Sequence, residues 1–197
     1  MLFRSGGNVS LRAQSISSEV TPIITNGGGS TEQFSVVADR IENVQTGSST
    51  IAIGAGNGQI SIRAPKVTGY VTISGGGAVR FDGCGIDSTG RAQPTVNLTG
   101  TPGSLTLANC VLVTDAGQTY SLGSTAARTV NVVGTLTANK AIDPDVTFAG
   151  PGTVIASGNT VYMGGKVMTA GLGTLSTVSP TGTPDGTKFL RDDNSYE

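Results

Sequence analysis

The sequence predicts an all-β chain wound as a right-handed parallel β-helix, and three observations carry that prediction. First, a strand pattern occurs twice, 26 positions apart, as Val79, Phe81, Cys84, Ile86 and as Leu105, Leu107, Cys110, Leu112. In each copy two apolar residues alternate with polar ones, a small corner follows, and a cysteine precedes another apolar residue by two. Alternation at period two marks a strand with one buried face, and strand, corner and strand at a fixed spacing mark a solenoid. Second, 30 glycines and only 13% charged residues describe turns and strands, and no stretch sustains the i, i+3, i+4, i+7 spacing of a helix. Third, with no Trp, four Tyr and five Phe, the core must come from Val, Ile, Leu, Ala and Thr, whose branched members suit a pleated sheet. Handedness follows the general preference of parallel crossovers.

The pattern extends both ways. Downstream, Val130, Val132, Thr135, Thr137 fit at a spacing of 25, and Val154, Ala156, Asn159, Val161 at 24. Upstream, Ile53, Ala55, Gly58, Ile60 fit at 26. Val9, Leu11, Gln14, Ile16 and Phe34, Val36, Asp39, Ile41 match the template, but in a phase that does not join the later series. About six coils of roughly 20–29 residues account for Val9 through Val161.

In chain order, residues 1–17 form an entry arm and a first strand, residues 18–173 the β-helix, and residues 174–197 a C-terminal linker. Asn26-Gly27-Gly28-Gly29-Ser30 is a loop that glycines close tightly. Strands are expected over Gln33–Val44, Thr50–Ile62 and Val67–Ser74, then in the two central copies. Short strands follow at Tyr120–Leu122, Thr129–Leu136, Val146–Phe148, Thr153–Ala156 and Thr160–Met163. Adjacent apolar pairs interrupt the alternation at Ile23-Ile24, Val36-Val37, Val132-Val133 and Val154-Ile155, and in the run Cys110–Val113. One member of each pair faces outward if the strand runs straight. Stacked coils would align those residues into an axial stripe, which a homotrimer would bury.

The formal net charge of −1, with basic residues scattered singly, offers no groove for nucleic acid. No segment has the length and apolarity of a membrane span or a signal peptide, so the expected site of synthesis is a cytoplasm. Two cysteines are too few for a disulfide scaffold. Cys84 and Cys110 are expected in neighbouring coils, about 4.8 Å apart in strand spacing, as buried free thiols.

Chemistry-bearing patterns are sparse. With no histidine, imidazole bases, His-based triads and His-containing zinc sites are excluded, and two cysteines cannot complete a thiolate zinc site. Gly54-x-Gly56-x-Gly58 lacks the dinucleotide spacing. Gly164-Gly165-Lys166 is followed by Val167 rather than Ser or Thr, so both read as turns. Three carboxylate pairs could in principle serve a glycosidase: Asp39 with Glu42, Asp82 with Asp87, and Asp143 with Asp145. Solvated turns and strand faces account for all three. Asn8-Val9-Ser10 and Asn97-Leu98-Thr99 match a glycosylation acceptor by chance. No catalytic, cofactor-binding or metal-binding residue is assigned, no cofactor is expected, and the chain is not expected to be an enzyme.

From Thr174 the composition shifts. Ser179-Pro180-Thr181-Gly182-Thr183-Pro184-Asp185-Gly186 reads as a linker, and Lys188–Tyr196 is dense in charged and amide side chains. The segment Thr181–Tyr196, TGTPDGTKFLRDDNSY, resembles the GTP-x-x-G-x-K-F-L-R-x-D element of many bacteriophage and prophage tail-fibre and tail-spike proteins. There the element usually ends in Trp, where this chain has Tyr196, and it often joins a fibre shaft to a following domain. The resemblance covers about sixteen residues and carries no chemistry of its own. It implies a structural and adhesive virion component, a trimeric fibre or spike presenting a rigid stalk to the host surface. The partners implied are other tail or capsid proteins and a bacterial surface glycan, with neither nucleic acid nor membrane. A capsid-bound fibre or decoration protein, and a polysaccharide depolymerase, are the alternatives.

Overall fold

A computed structural model describes residues 9–19, 33–54, 58–75 and 77–168, and every helix or strand assigned among them is a strand. The chain divides into Met1–Val167, which holds all of these strands, and Met168–Glu197. The entry arm before Asn8, the Asn26–Ser30 loop, Ile23-Ile24 and the segment Thr181–Tyr196 lie outside the described residues.

β1 (Val9–Ser18) and β2 (Gln33–Asn43) run parallel, and β3 (Ile51–Ile53) follows. The order then repeats. β4 (Gln59–Arg63) and β5 (Lys66–Thr68) pair with the two halves of β2, and β6 (Val71–Ile73) pairs with β3. β7 (Ala78–Asp82) and β8 (Gly85–Asp87) lie on β4 and β5, and β9 (Val96–Leu98) on β6. β10 (Ser104–Val113) spans both β7 and β8, and β11 (Tyr120–Ser124) lies on β9. β12 (Arg128–Ala138) pairs with β10, and β13 (Ala141–Ile142) with β11. β14 (Val146–Ala149) and β15 (Thr153–Ala156) cover the two halves of β12. All of these pairings are parallel. β16 (Asn159–Met163) then turns back antiparallel on β15, and β17 (Lys166–Val167) on β16. The result is a 12-stranded sheet and a five-stranded sheet, between which the chain passes back and forth. The larger sheet has seven parallel tiers, from β1 to the β14–β15 pair, against about six expected.

Inward side chains form continuous columns. In the larger sheet, Phe34, Ile60, Val79, Leu105, Val130 and Phe148 succeed one another in register. Val36, Ile62, Phe81, Leu107 and Val132 form the next column. Beyond the bend come Ile41, Val67, Ile86, Leu112, Ala138 and Ala156. The smaller sheet contributes Ile51, Val71, Val96 and Leu122 to the same hydrophobic cluster. Like side chains stack because parallel in-register strands bring equivalent positions within about 5 Å.

The two central copies pair as expected, Val79 with Leu105, Phe81 with Leu107 and Ile86 with Leu112. The outer copies need correction. Val130 and Val132 hold their places, but Cys110 faces Leu136 and Leu112 faces Ala138, rather than Thr135 and Thr137. The cause is an extra residue at the corner. Gly134 (φ +67°) sits beside Asn109 (φ 51°), and a Cβ on Gly134 would fall 2.0 Å from Asn109 Oδ1. Glycine and asparagine are the residues that tolerate this left-handed conformation.

Val154 and Ala156 lie opposite Leu136 and Ala138, a step of 18 rather than 24, and Asn159 belongs to the antiparallel β16 together with Val161. Upstream, Ile53 stacks on Ile73 in the smaller sheet. The residues preceding Val79 and Phe81 are Ile60 and Ile62, a step of 19. The first two copies pair with each other, and they do join the later series, through Ile60, Ile62 and Val67. The turns absorb these differences in length, so a fixed period loses the register where a turn is short.

The apolar pairs split as a straight strand requires. Val36, Val132 and Val154 are buried, while Val37, Val133 and Ile155 turn away from the core. They do not form a stripe along the whole molecule, because Val37 lies between Arg12 and Arg63. An outward column survives only in the C-terminal half, where Val111, Thr137 and Ile155 follow one another.

Candidate functional site

Where the chain leaves the larger sheet for the smaller, the buried Ser88 and Thr114 and the exposed Asn139 stack tier on tier as the apolar groups do. The Ser88 hydroxyl donates to Thr114 Oγ1 at 3.1 Å, and the Thr114 N–H donates to Asn139 Oδ1 at 2.9 Å. Asn139 Nδ2 returns a bond to the Thr114 carbonyl at 2.9 Å. Among the described residues no buried side-chain nitrogen or oxygen lacks a partner, as a buried polar ladder requires.

Arg91, 6% exposed, donates through one guanidinium nitrogen to the Asn43 carbonyl at 2.5 Å and through another to the Gln45 carbonyl. It thereby ties its own turn to a turn 46–48 positions earlier. The intervening turn at Gly69 is too close to admit a side chain, since a Cβ there would fall 2.0 Å from Thr50 Oγ1. Nothing in the local sequence marks Arg91, because its acceptors come from two tiers away.

Cys84 and Cys110 are free and buried in adjacent tiers. Cys84 Sγ donates to the Ile62 carbonyl at 3.4 Å, and Cys110 Sγ to the Ala108 carbonyl at 3.3 Å. The hydrogen bond with Cys84, together with burial, pushes the Cys110 thiol above its ordinary pKa.

The carboxylate pairs are engaged locally. Glu42 is ion-paired with Arg40, and Asp39 is exposed beside them. Asp82 pairs with Arg80 at 3.3 Å, while Asp87 Oδ1 accepts the Thr89 N–H at 2.9 Å. Asp143 accepts the N–H groups of Asp145 at 2.9 Å and Ser124 at 3.3 Å. It borders a shallow concavity of about 300 Å³ with Ile142, Pro144, Val146 and Val161. Among the described residues no three His, Cys, Asp or Glu side chains converge on a metal position, and no helix is long and apolar enough to cross a membrane. Gly164 (φ +54°) and Gly165 (φ +92°) form the two-residue turn between β16 and β17, as hairpin geometry demands. Asn97 lies within β9, where its Nδ2 donates to Gln93 Oε1 at 3.2 Å. Residues 55–57 of the glycine-rich Gly54–Gly58 stretch, and Asn8, are outside the described residues.

The outer face of the larger sheet is where dispersed residues converge. Ser10, Ser35, Ser61, Arg80, Thr106 and Asn131 form one outward column, each in register with the next. Its middle part borders a concavity of about 450 Å³, together with Gln33 and Gln59. Beside it, Arg12 and Arg63 flank Val37, and past the bend Arg40 is opposite Lys66. Arg12, Arg63 and Lys66 are exposed. The ion pairs among the described residues, Arg40–Glu42 and Arg80–Asp82, leave these three without a carboxylate. Charges that look scattered along the chain are thus gathered by stacking. Comparison with protein-family models, with curated proteins and with solved structures gives no match.

Proposed function

We propose that this chain is a right-handed parallel β-helix that serves as a structural and adhesive component of a bacteriophage fibre or tail spike, assembled as a homotrimer. The observation that carries the architecture is the run of inward columns from tier to tier, in which the chain visits the larger sheet, then the smaller, then the larger again. Such a stack is laterally stiff, because each tier is hydrogen-bonded along its length to the next. The phage assignment rests on the likeness of Thr181–Tyr196 to tail-fibre elements.

The trimer reading draws on the outward column Val111, Thr137, Ile155. Val111 is 46% exposed, and three copies meeting on one axis would cover such a column. Repulsion among Arg12, Arg40, Arg63 and Lys66 of three chains would keep the N-terminal half of the same face apart. Sedimentation of the purified chain is expected to give three times the monomer mass, and Val111→Lys should dissociate it. A stable monomer at micromolar concentration would overturn the trimer. Antibody labelling of intact particles is expected to mark the tail; labelling of the capsid shell would instead make it a capsid-bound fibre or decoration protein.

A further inference from the structure

We propose that the N-terminal half of the larger sheet's outer face binds an acidic polysaccharide, one whose sugars carry carboxylates or phosphates. This rests on the adhesive reading and names the ligand class it would take. Two independent features coincide there. One is the trio of exposed cations Arg12, Arg63 and Lys66, left without carboxylate partners by the ion pairs of the described residues. The other is the adjoining concavity of about 450 Å³, where Ser35, Ser61, Gln59 and Thr106 offer hydroxyl and amide groups beside the apolar Phe34, Ile60 and Val79.

The spacing suits a sugar chain. Arg12 and Arg63 lie two tiers apart on either side of Val37, which places their backbones about 10 Å apart. That matches anionic groups recurring on alternate sugars. A guanidinium binds a carboxylate or phosphate in two-pronged fashion, and the neighbouring hydroxyls and amides offer donors and acceptors to sugar hydroxyls. Arg80 can join, because its exposed pairing with Asp82 is weak enough to exchange.

The same face disfavours a nucleic acid. None of its outward positions on β1, β2, β4, β5, β7 and β8 carries an aromatic ring on which a base could stack. Glu42, Asp82 and Asp87 stand among the cations, and they would repel a backbone charged at every unit. Sparse anionic groups can settle between them.

The test uses the full chain with four immobilised probes: hyaluronate, with a carboxylate on every second sugar, a phosphorylated mannan for phosphate, neutral dextran, and a single-stranded oligonucleotide. Binding to hyaluronate or to the phosphomannan is expected, weakening as salt rises, with dextran inert. The double variant Arg12→Ser/Arg63→Ser is expected to lower that affinity about tenfold at an unchanged melting temperature. Lys140→Ser, whose ammonium donates to the Ala116 carbonyl in a turn, should bind as the parent does. Failure to bind either charged glycan, equal binding by the double variant, or tighter binding to the oligonucleotide would overturn the proposal. Particle labelling bears on the fibre reading alone, and the glycan assay needs no particle, so the two can fail separately.

Discussion

Leu107→Asp tests the inward register at its centre. Leu107 is fully buried, stacked between Phe81 and Val132, so aspartate there exchanges an apolar contact on both sides for a carboxylate. Loss of the leucine's burial costs about 2 kcal/mol. The carboxyl has no cation near it in that column, so burial would raise its pKa by about 3 units, which at pH 7 adds about 4 kcal/mol. The total of about 6 kcal/mol rivals the whole stability of an ordinary domain. The electrostatic share has a definite pH dependence. A carboxyl whose folded pKa is raised favours the folded state below its unfolded pKa and opposes it as pH rises. The gap to the parent should therefore narrow as pH falls from 7 toward 4. Thr106→Asp, one residue away and facing outward, should cost under about 1 kcal/mol. Urea melts followed by circular dichroism at pH 7 and pH 4 read both variants. Equal midpoints for Leu107→Asp and Thr106→Asp, or a Leu107→Asp deficit that does not change with pH, would refute the register.

Arg91→Met keeps much of the side chain's bulk but removes the donors to the Asn43 and Gln45 carbonyls, and should cost about 2–3 kcal/mol in a urea melt. A loss below about 0.5 kcal/mol would mean that the tie between turns does not matter for stability. Cys84 and Cys110 should resist a polar thiol reagent in native protein, because both are buried and the Cys110 thiol is held above its ordinary pKa. Raising the pH from 7 to 9 should speed labelling of Cys110 less than that of a free thiol; rapid labelling without denaturant would contradict the placement.

What the sequence determined by itself was facing. Period-two alternation puts Val79, Phe81, Leu105 and Leu107 on one side of their strands and Arg80 and Thr106 on the other, and the structure has them so. Burial of apolar side chains leaves an alternating strand a single choice of face. The equal step of 26 between β7 and β10 was also legible, because the intervening turns have full length. Which strand stacks on which was decided only by the tertiary structure. Short turns shrink the step to 19 before Val79 and to 18 after Leu136, and the extra residue at Gly134 shifts the second half of β12 by one. Turn length changes register without changing the alternation within a strand, so a template with a fixed period cannot detect it. The polar assemblies follow the same rule. Arg12 and Arg63 each pair beside Val37, and Arg91 reaches Asn43, through neighbours 25 to 48 positions apart. Such neighbours exist only once the tiers are stacked.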